Sequence, residues 1–237
     1  RTALVRGAYE YQGQKCSAAS RAYVPRSVWR RLESGLVSEI ESLPMGDVSD
    51  FSNFLGAVID GRSFTRLTAA ISRARSAPGI SVLAGGSTDD SEGWFVRPPL
   101  LLADDPADEV FVREYFGPLL AVHVFDDDRY DEVVAQAADI APYALTGAVI
   151  AQDRGAIVRA TETLRFSAGN FYVNDKPTGA VVGQQPFGGG RASGTNDKAG
   201  SAQNLLRWTS TRAIKETFVP ATDSRYPHMG TDDRGQR

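Results

Sequence analysis

The only cysteine among 237 residues, Cys16, stands in the run Gln12-Gly13-Gln14-Lys15-Cys16-Ser17. A lone thiol beside a glycine turn is either a small buried hydrophobe or a nucleophile, because free cysteine packs well in cores and attacks carbonyls once ionised. Two further stretches carry side chains suited to binding. Glu114-Tyr115-Phe116-Gly117-Pro118 sets a carboxylate and an aromatic ring on a turn, where Glu114 is either a ligand-binding acid or a solvated surface one. The stretch from Asn174 to Gly200 is long and glycine-rich, yet it holds Phe187, Arg191 and Val181-Val182, which a plain flexible linker does not usually carry. Its glycines allow close backbone approach, and their amides can receive an anion or a carboxylate.

These residues need a scaffold, and the chain can build one. At 237 residues and 42% hydrophobic it can bury a sizeable core in one or two domains. A net charge of -3 and a pI near 5.5 give no reason to expect a nucleic-acid or anionic-membrane partner. One cysteine excludes an internal disulfide and fits a reducing, cytoplasmic setting. No run of 18 or more apolar residues occurs, so no membrane span is expected. With only His123 and His228 as histidines, no metal site is expected, and His123, inside an apolar run, reads as a satisfied core histidine.

Periodicity supplies the elements. Helices are expected over Arg1–Tyr11, after Pro25 with Val28, Trp29, Leu32, Leu36, Val37, Ile40 and Leu43 inward, and from about Ser63 to Arg75. Strands are expected over Ala18–Val24, Ile80–Ala84 and the nearly all-apolar Leu119–Phe125, with a strand region at Gly93–Leu102 bent by Pro98-Pro99. A helix at Arg129–Ala138, strand Leu145–Ala151, helix Arg154–Leu164 and strand Gly169–Val173 complete an α/β fold, a parallel twisted sheet with helices on both faces. Ser201–Trp208 reads as helical. Thr211–Val219 alternates like an exposed strand ready to pair with another subunit, and the polar tail Asp223–Arg237 reads as poorly ordered. The expected organisation is residues 1–200 as the thiol-bearing domain, 201–222 as helix and oligomerisation strand, and 223–237 as tail.

Together, the cysteine run, the Glu114–Pro118 turn and the loop resemble the aldehyde dehydrogenase superfamily. The string Asn174-Asp175-Lys176-Pro177-Thr178-Gly179-Ala180, followed by Gln184-Gln185-Pro186-Phe187-Gly188-Gly189, is similar to the branch that oxidises L-glutamate gamma-semialdehyde in proline catabolism. The resemblance runs from Arg1 to about Pro220. It implies that Cys16 is the nucleophile, passing through a thiohemiacetal and a thioester with NAD as hydride acceptor, and that the backbone N–H of Cys16 serves the oxyanion. It further implies that Glu114 binds the nicotinamide-ribose hydroxyls and that Phe116 packs nearby. Ser17 with the amides of Gly179 and Ala180 would receive the substrate's far carboxylate, and Phe187 would line its aliphatic part.

The resemblance also implies that the nucleotide-binding domain, a general-base glutamate and an oxyanion-hole asparagine belong upstream of the residues present. The chain by itself is therefore expected to turn over weakly or not at all. Gly190 stands where alanine is expected and should loosen its turn. Two other readings stay open: a non-catalytic oligomerisation or regulatory module with a dehydrogenase-like surface, and a thiol acyl hydrolase, which would need a base near Cys16.

Overall fold

A computed structural model of the chain describes residues 1–229. Helix α1 (Thr2–Tyr9) ends in a 3-10 turn, Glu10–Gly13, and a loop leads to β1 (Arg21–Pro25). Pro25 cannot continue a ladder and presets the backbone for α2 (Arg26–Glu41), whose Trp29, Leu36 and Ile40 are buried. Asp60 caps α3 (Gly61–Ser76) by accepting from the Ser63 backbone N–H at 2.8 Å. Then come β2 (Ile80–Ala84), the short hairpin strands β3 (Thr88–Asp89) and β4 (Phe95–Val96), and β5 (Leu100–Ala103). The bend between β4 and β5 falls at Pro98-Pro99. Helix α4 (Glu109–Val112) and the Glu114–Pro118 turn lead into β6 (Leu120–Phe125). Helix α5 (Tyr130–Asp139), β7 (Tyr143–Ala144), β8 (Thr146–Val149), α6 (Arg154–Thr163), β9 (Asn170–Val173), β10 (Gly190–Arg191) and α7 (Ala202–Leu205) follow.

The main sheet has the order β1-β6-β5-β2. Strand β6 is its buried axis, and period-two alternation sends its residues to opposite faces. Leu120 and Val122 join Leu100, Val5, Tyr9, Leu36 and Ile40 beneath α1 and α2. Ala121 joins Leu101, Leu67, Ile71, Phe111 and Leu119 beneath α3 and α4. Each large side chain buried in these layers contributes about 1.5–3 kcal/mol, so the site-bearing turns rest on a stiff platform.

The sheet differs from the all-parallel expectation in two respects. Strand β2 runs antiparallel to β5, because the connection from Gly85 to Pro99 holds no crossover helix, which a parallel return would need. Strands β8 and β9 pair parallel across α6, but as a separate two-stranded unit. The alternating segment Thr211–Val219 is also not a strand: it is exposed and irregular, since strand character needs a partner ladder and this segment has none among the described residues. The expected helix at Ser201–Trp208 is a single α-turn followed by a 3-10 turn, Leu206–Trp208. The tail expected from Asp223 lies partly outside the described residues. Among the described residues no helix is long and apolar enough to cross a membrane. His123 is buried, with Nδ1 3.2 Å from the Ala103 carbonyl oxygen, and so is satisfied within the fold.

Candidate active site

Cys16 is exposed on the loop that enters β1. Three consecutive residues before it, Tyr11, Gln12 and Gly13, adopt left-handed backbone conformations with φ of 57°, 56° and 61°. Outside contacts hold them there. Gln12 Nε2 donates to the Ala57 carbonyl at 3.0 Å, and Gln14 Oε1 accepts from the Ile59 N–H at 2.8 Å. Gly13 could not be any other residue without movement, because a Cβ there would stand 2.4 Å from the Gly117 carbonyl oxygen. That contact seats the cysteine loop directly on the Glu114–Pro118 turn.

Glu114 and Phe116 are both exposed on that turn, and Phe116 is itself left-handed with φ of 50°. Helix α3 braces the turn from below. Arg66 Nε donates to the Tyr115 carbonyl at 2.9 Å, the Tyr115 hydroxyl donates to Glu109 at 3.0 Å, and Arg73 grips Asp108 with two bonds of 3.0 and 2.7 Å. Burial and the Glu109 carboxylate together push the Tyr115 hydroxyl's pKa up, so it stays a neutral donor.

The third motif reaches the thiol from the far end of the chain. Ser17 and Thr178 are both buried, and their hydroxyl oxygens are 2.7 Å apart. Thr178 immediately precedes Gly179, whose φ of 85° favours glycine, and the partly buried Ala180. Thr146 Oγ1 donates to the Ser17 carbonyl at 3.4 Å, tying in the start of β8. Glu10 accepts from Lys15 at 2.9 Å and from Lys176 at 2.5 Å. Partial burial pushes the Glu10 carboxyl up, but the hydrogen bonds from the two lysines outweigh it and hold it below the usual carboxylate range.

Phe187 is half-buried and held by a different set of bonds. It exchanges two backbone hydrogen bonds with Ala199, at 2.8 and 2.7 Å. Behind it, buried Asn170 donates to the Pro186 carbonyl and accepts from the Gly188 N–H, each at 3.1 Å. Lys198 donates to the Gly169 and Gly188 carbonyls at 2.5 and 3.1 Å. Gly190 does not loosen a turn: it lies in β10, and a Cβ there would meet nothing within 4 Å. The steric demand falls one residue earlier, where a Cβ on Gly189 would stand 2.4 Å from the Ala144 carbonyl oxygen.

The Ser17–Thr178 contact thus ties the loop that carries Cys16 to the segment that carries Gly179 and Ala180, and Glu114 and Phe116 lie on the adjoining turn. Sequence reasoning passed over Thr178, Glu10, Lys176, Asn170 and Lys198. Thr178 and Lys176 stand inside the quoted string, but their partners, like those of Glu10 and Asn170, lie too far along the chain for a local pattern to signal. Glu10 and Asp108 also make acid stability testable. Both carboxyls are depressed, Asp108 chiefly by the Arg73 hydrogen bond. Their stabilisation is complete above the unfolded carboxylate range and is lost as pH falls through the lowered folded values. The melting temperature should therefore fall as pH drops below about 5, and Asp108→Asn should flatten part of that decline in calorimetric scans.

A sequence model for the aldehyde dehydrogenase family matches residues 2–214. The chain is 52% identical over 225 residues to the delta-1-pyrroline-5-carboxylate dehydrogenase of Dictyostelium discoideum, covering 95% of this chain and 40% of that protein. It is 61% identical to the delta-pyrroline-5-carboxylate dehydrogenase from Mycobacterium tuberculosis, with a TM-score of 0.84 over 98% of this chain and 42% of the other. The 1-pyrroline-5-carboxylate dehydrogenase from Thermus with bound NAD gives a TM-score of 0.76 at 32% identity, over 86% of this chain and 38% of the other. The chain spans about two fifths of the length of these relatives. It belongs to the aldehyde dehydrogenase family.

Proposed function

We propose that this chain forms the thiol-bearing catalytic portion of an NAD-dependent dehydrogenase that oxidises L-glutamate gamma-semialdehyde, in equilibrium with 1-pyrroline-5-carboxylate, to L-glutamate. The observation that carries this is the Ser17–Thr178 pair, which brings the Gly179 and Ala180 segment beside the residue next to the nucleophile. The relatives named above, all pyrroline-5-carboxylate dehydrogenases, support the same substrate.

In this mechanism the Cys16 thiolate adds to the aldehyde carbon, and the backbone N–H of Cys16 donates to the oxyanion that forms. The resulting hemithioacetal becomes a thioester on Cys16 as hydride leaves, and water then releases the acid and restores the thiol. NAD, when bound, supplies the hydride acceptor. The exposed carboxylate of Glu114 and the adjacent ring of Phe116 fit the ribose and nicotinamide end of that cofactor. The paired Ser17 and Thr178 hydroxyls share one proton between them, which leaves the other to donate to the substrate's distal carboxylate. Phe187 lines the aliphatic stretch between the two ends.

A homo-oligomer is proposed through Thr211–Val219, where Ile214, Phe218 and Val219 are exposed. A cytoplasmic location is proposed from the lone exposed thiol, which suits a reducing compartment. Neither nucleic acid nor membrane is proposed as a partner.

The test expresses the full open reading frame that encodes this chain and follows reduced nicotinamide formed from glutamate semialdehyde. Saturable turnover in both NAD and aldehyde is expected, and Ser17→Ala should raise KM for the aldehyde about tenfold with a smaller change in kcat. No turnover by the full frame sinks the assignment.

A further inference from the structure

Glu10 lies on the 3-10 turn that closes α1, six residues ahead of the thiol. Each of its carboxylate oxygens takes one ammonium group: Oε1 accepts from Lys15 at 2.9 Å, and Oε2 from Lys176 at 2.5 Å. Lys15 adjoins Cys16, while Lys176 stands two residues before Thr178 and three before Gly179. Both lysine side chains are 23% exposed, so these bonds are shielded from solvent more than an ordinary surface pair. A single carboxylate therefore joins the nucleophile loop to the segment proposed to receive the substrate's carboxylate. The other links across this junction, the Ser17–Thr178 hydroxyl pair and Pro177 packed over Gly7, carry no charge.

We propose that Glu10 is a positioning residue, a two-handed clamp that sets the reach between the Cys16 thiol and the Gly179–Ala180 amides. Through that reach it sets the preference for an aldehyde bearing a carboxylate at one fixed distance. The proposal rests on the dehydrogenase reading for its substrate, but not for its geometry. Neutralising Glu10 leaves two ammonium groups facing each other with no counter-charge, and their repulsion drives the loops apart. Removing Lys176 as well relieves that repulsion. The two substitutions should therefore be strongly non-additive.

The test compares the full open reading frame with its Glu10→Gln, Lys176→Met and doubly substituted forms, using glutamate semialdehyde and the uncharged aldehyde propanal. Glu10→Gln should lower kcat/KM for glutamate semialdehyde about 10- to 100-fold, chiefly through KM, while changing propanal oxidation less than about threefold. Lys176→Met should lose less, and the double form should match Lys176→Met instead of the product of the two losses. Hydrogen exchange at Gly179 and Ala180 should quicken in Glu10→Gln and return toward normal in the double form.

Equal losses on both aldehydes, or a double form that multiplies the single losses, would overturn the clamp. If the unsubstituted frame oxidises neither aldehyde, the dehydrogenase reading falls, and hydrogen exchange alone then decides. Faster exchange confined to the loop upholds the clamp, and unchanged exchange overturns it.

Discussion

Replacing Cys16 with alanine in the full reading frame is expected to lower kcat for glutamate semialdehyde by about 10⁴-fold or more, because the covalent route loses its proposed nucleophile. The same change should move stability by no more than about 0.5 kcal/mol, since the thiol is exposed and fills no core space. Steady-state kinetics and calorimetry on one preparation separate the two effects. Cys16→Ser should be nearly as inactive, because a hydroxyl without an adjacent base is a far weaker nucleophile than a thiolate. Alkylation gives an independent check: loss of activity should track iodoacetamide incorporated at Cys16, located by peptide mass mapping. An alanine variant that still turned over would remove Cys16 from the mechanism.

Gly13→Ala should be severely damaging to the cysteine loop. The backbone is left-handed there, which costs an alanine about 1–2 kcal/mol by itself. The new Cβ would also stand 2.4 Å from the Gly117 carbonyl and 2.6 Å from that of Ala8, and both belong to backbone that cannot swing aside. A total loss of about 2–4 kcal/mol is expected, with about 10²-fold in kcat as the cysteine loop lifts off the Glu114 turn. Gly190→Ala serves as the control. Nothing lies within 4 Å of its Cβ position, so its melting curve should overlay that of the unsubstituted protein. Equal melting of the Gly13 and Gly190 variants would contradict the backbone contact.

The parts of the molecule that obey a short period were legible in the sequence. The inward positions of α2 (apart from Val28, which is exposed), the helix α3, the buried strand β6 and the bend at Pro98-Pro99 follow from spacing and from what proline cannot do. The direction of β2 was not legible from periodicity, which cannot distinguish parallel from antiparallel; only the missing crossover helix does. The segment Thr211–Val219 misled for a related reason. Alternation describes a face, and a face becomes a strand only when another strand pairs with it. The site divided in the same way. Cys16, Ser17, Gly179 and Ala180 sit in contiguous strings, which is what singles them out in the sequence. The pairing of Glu10 with Lys176 spans 166 residues and leaves no local trace.

Strands β1 and β6 run side by side, with Arg21 opposite Ala121. Cys16 and Phe116 each stand five residues ahead of that pair, so the ladder anchors the ends of the two turns that carry the proposed nucleophile and the proposed cofactor contact. Inserting or deleting one residue in either lead-in would move one turn against the other, where a reacting geometry tolerates roughly 1 Å. Point changes can retune what lies around the thiol, but a change in either lead-in length moves one turn against the other.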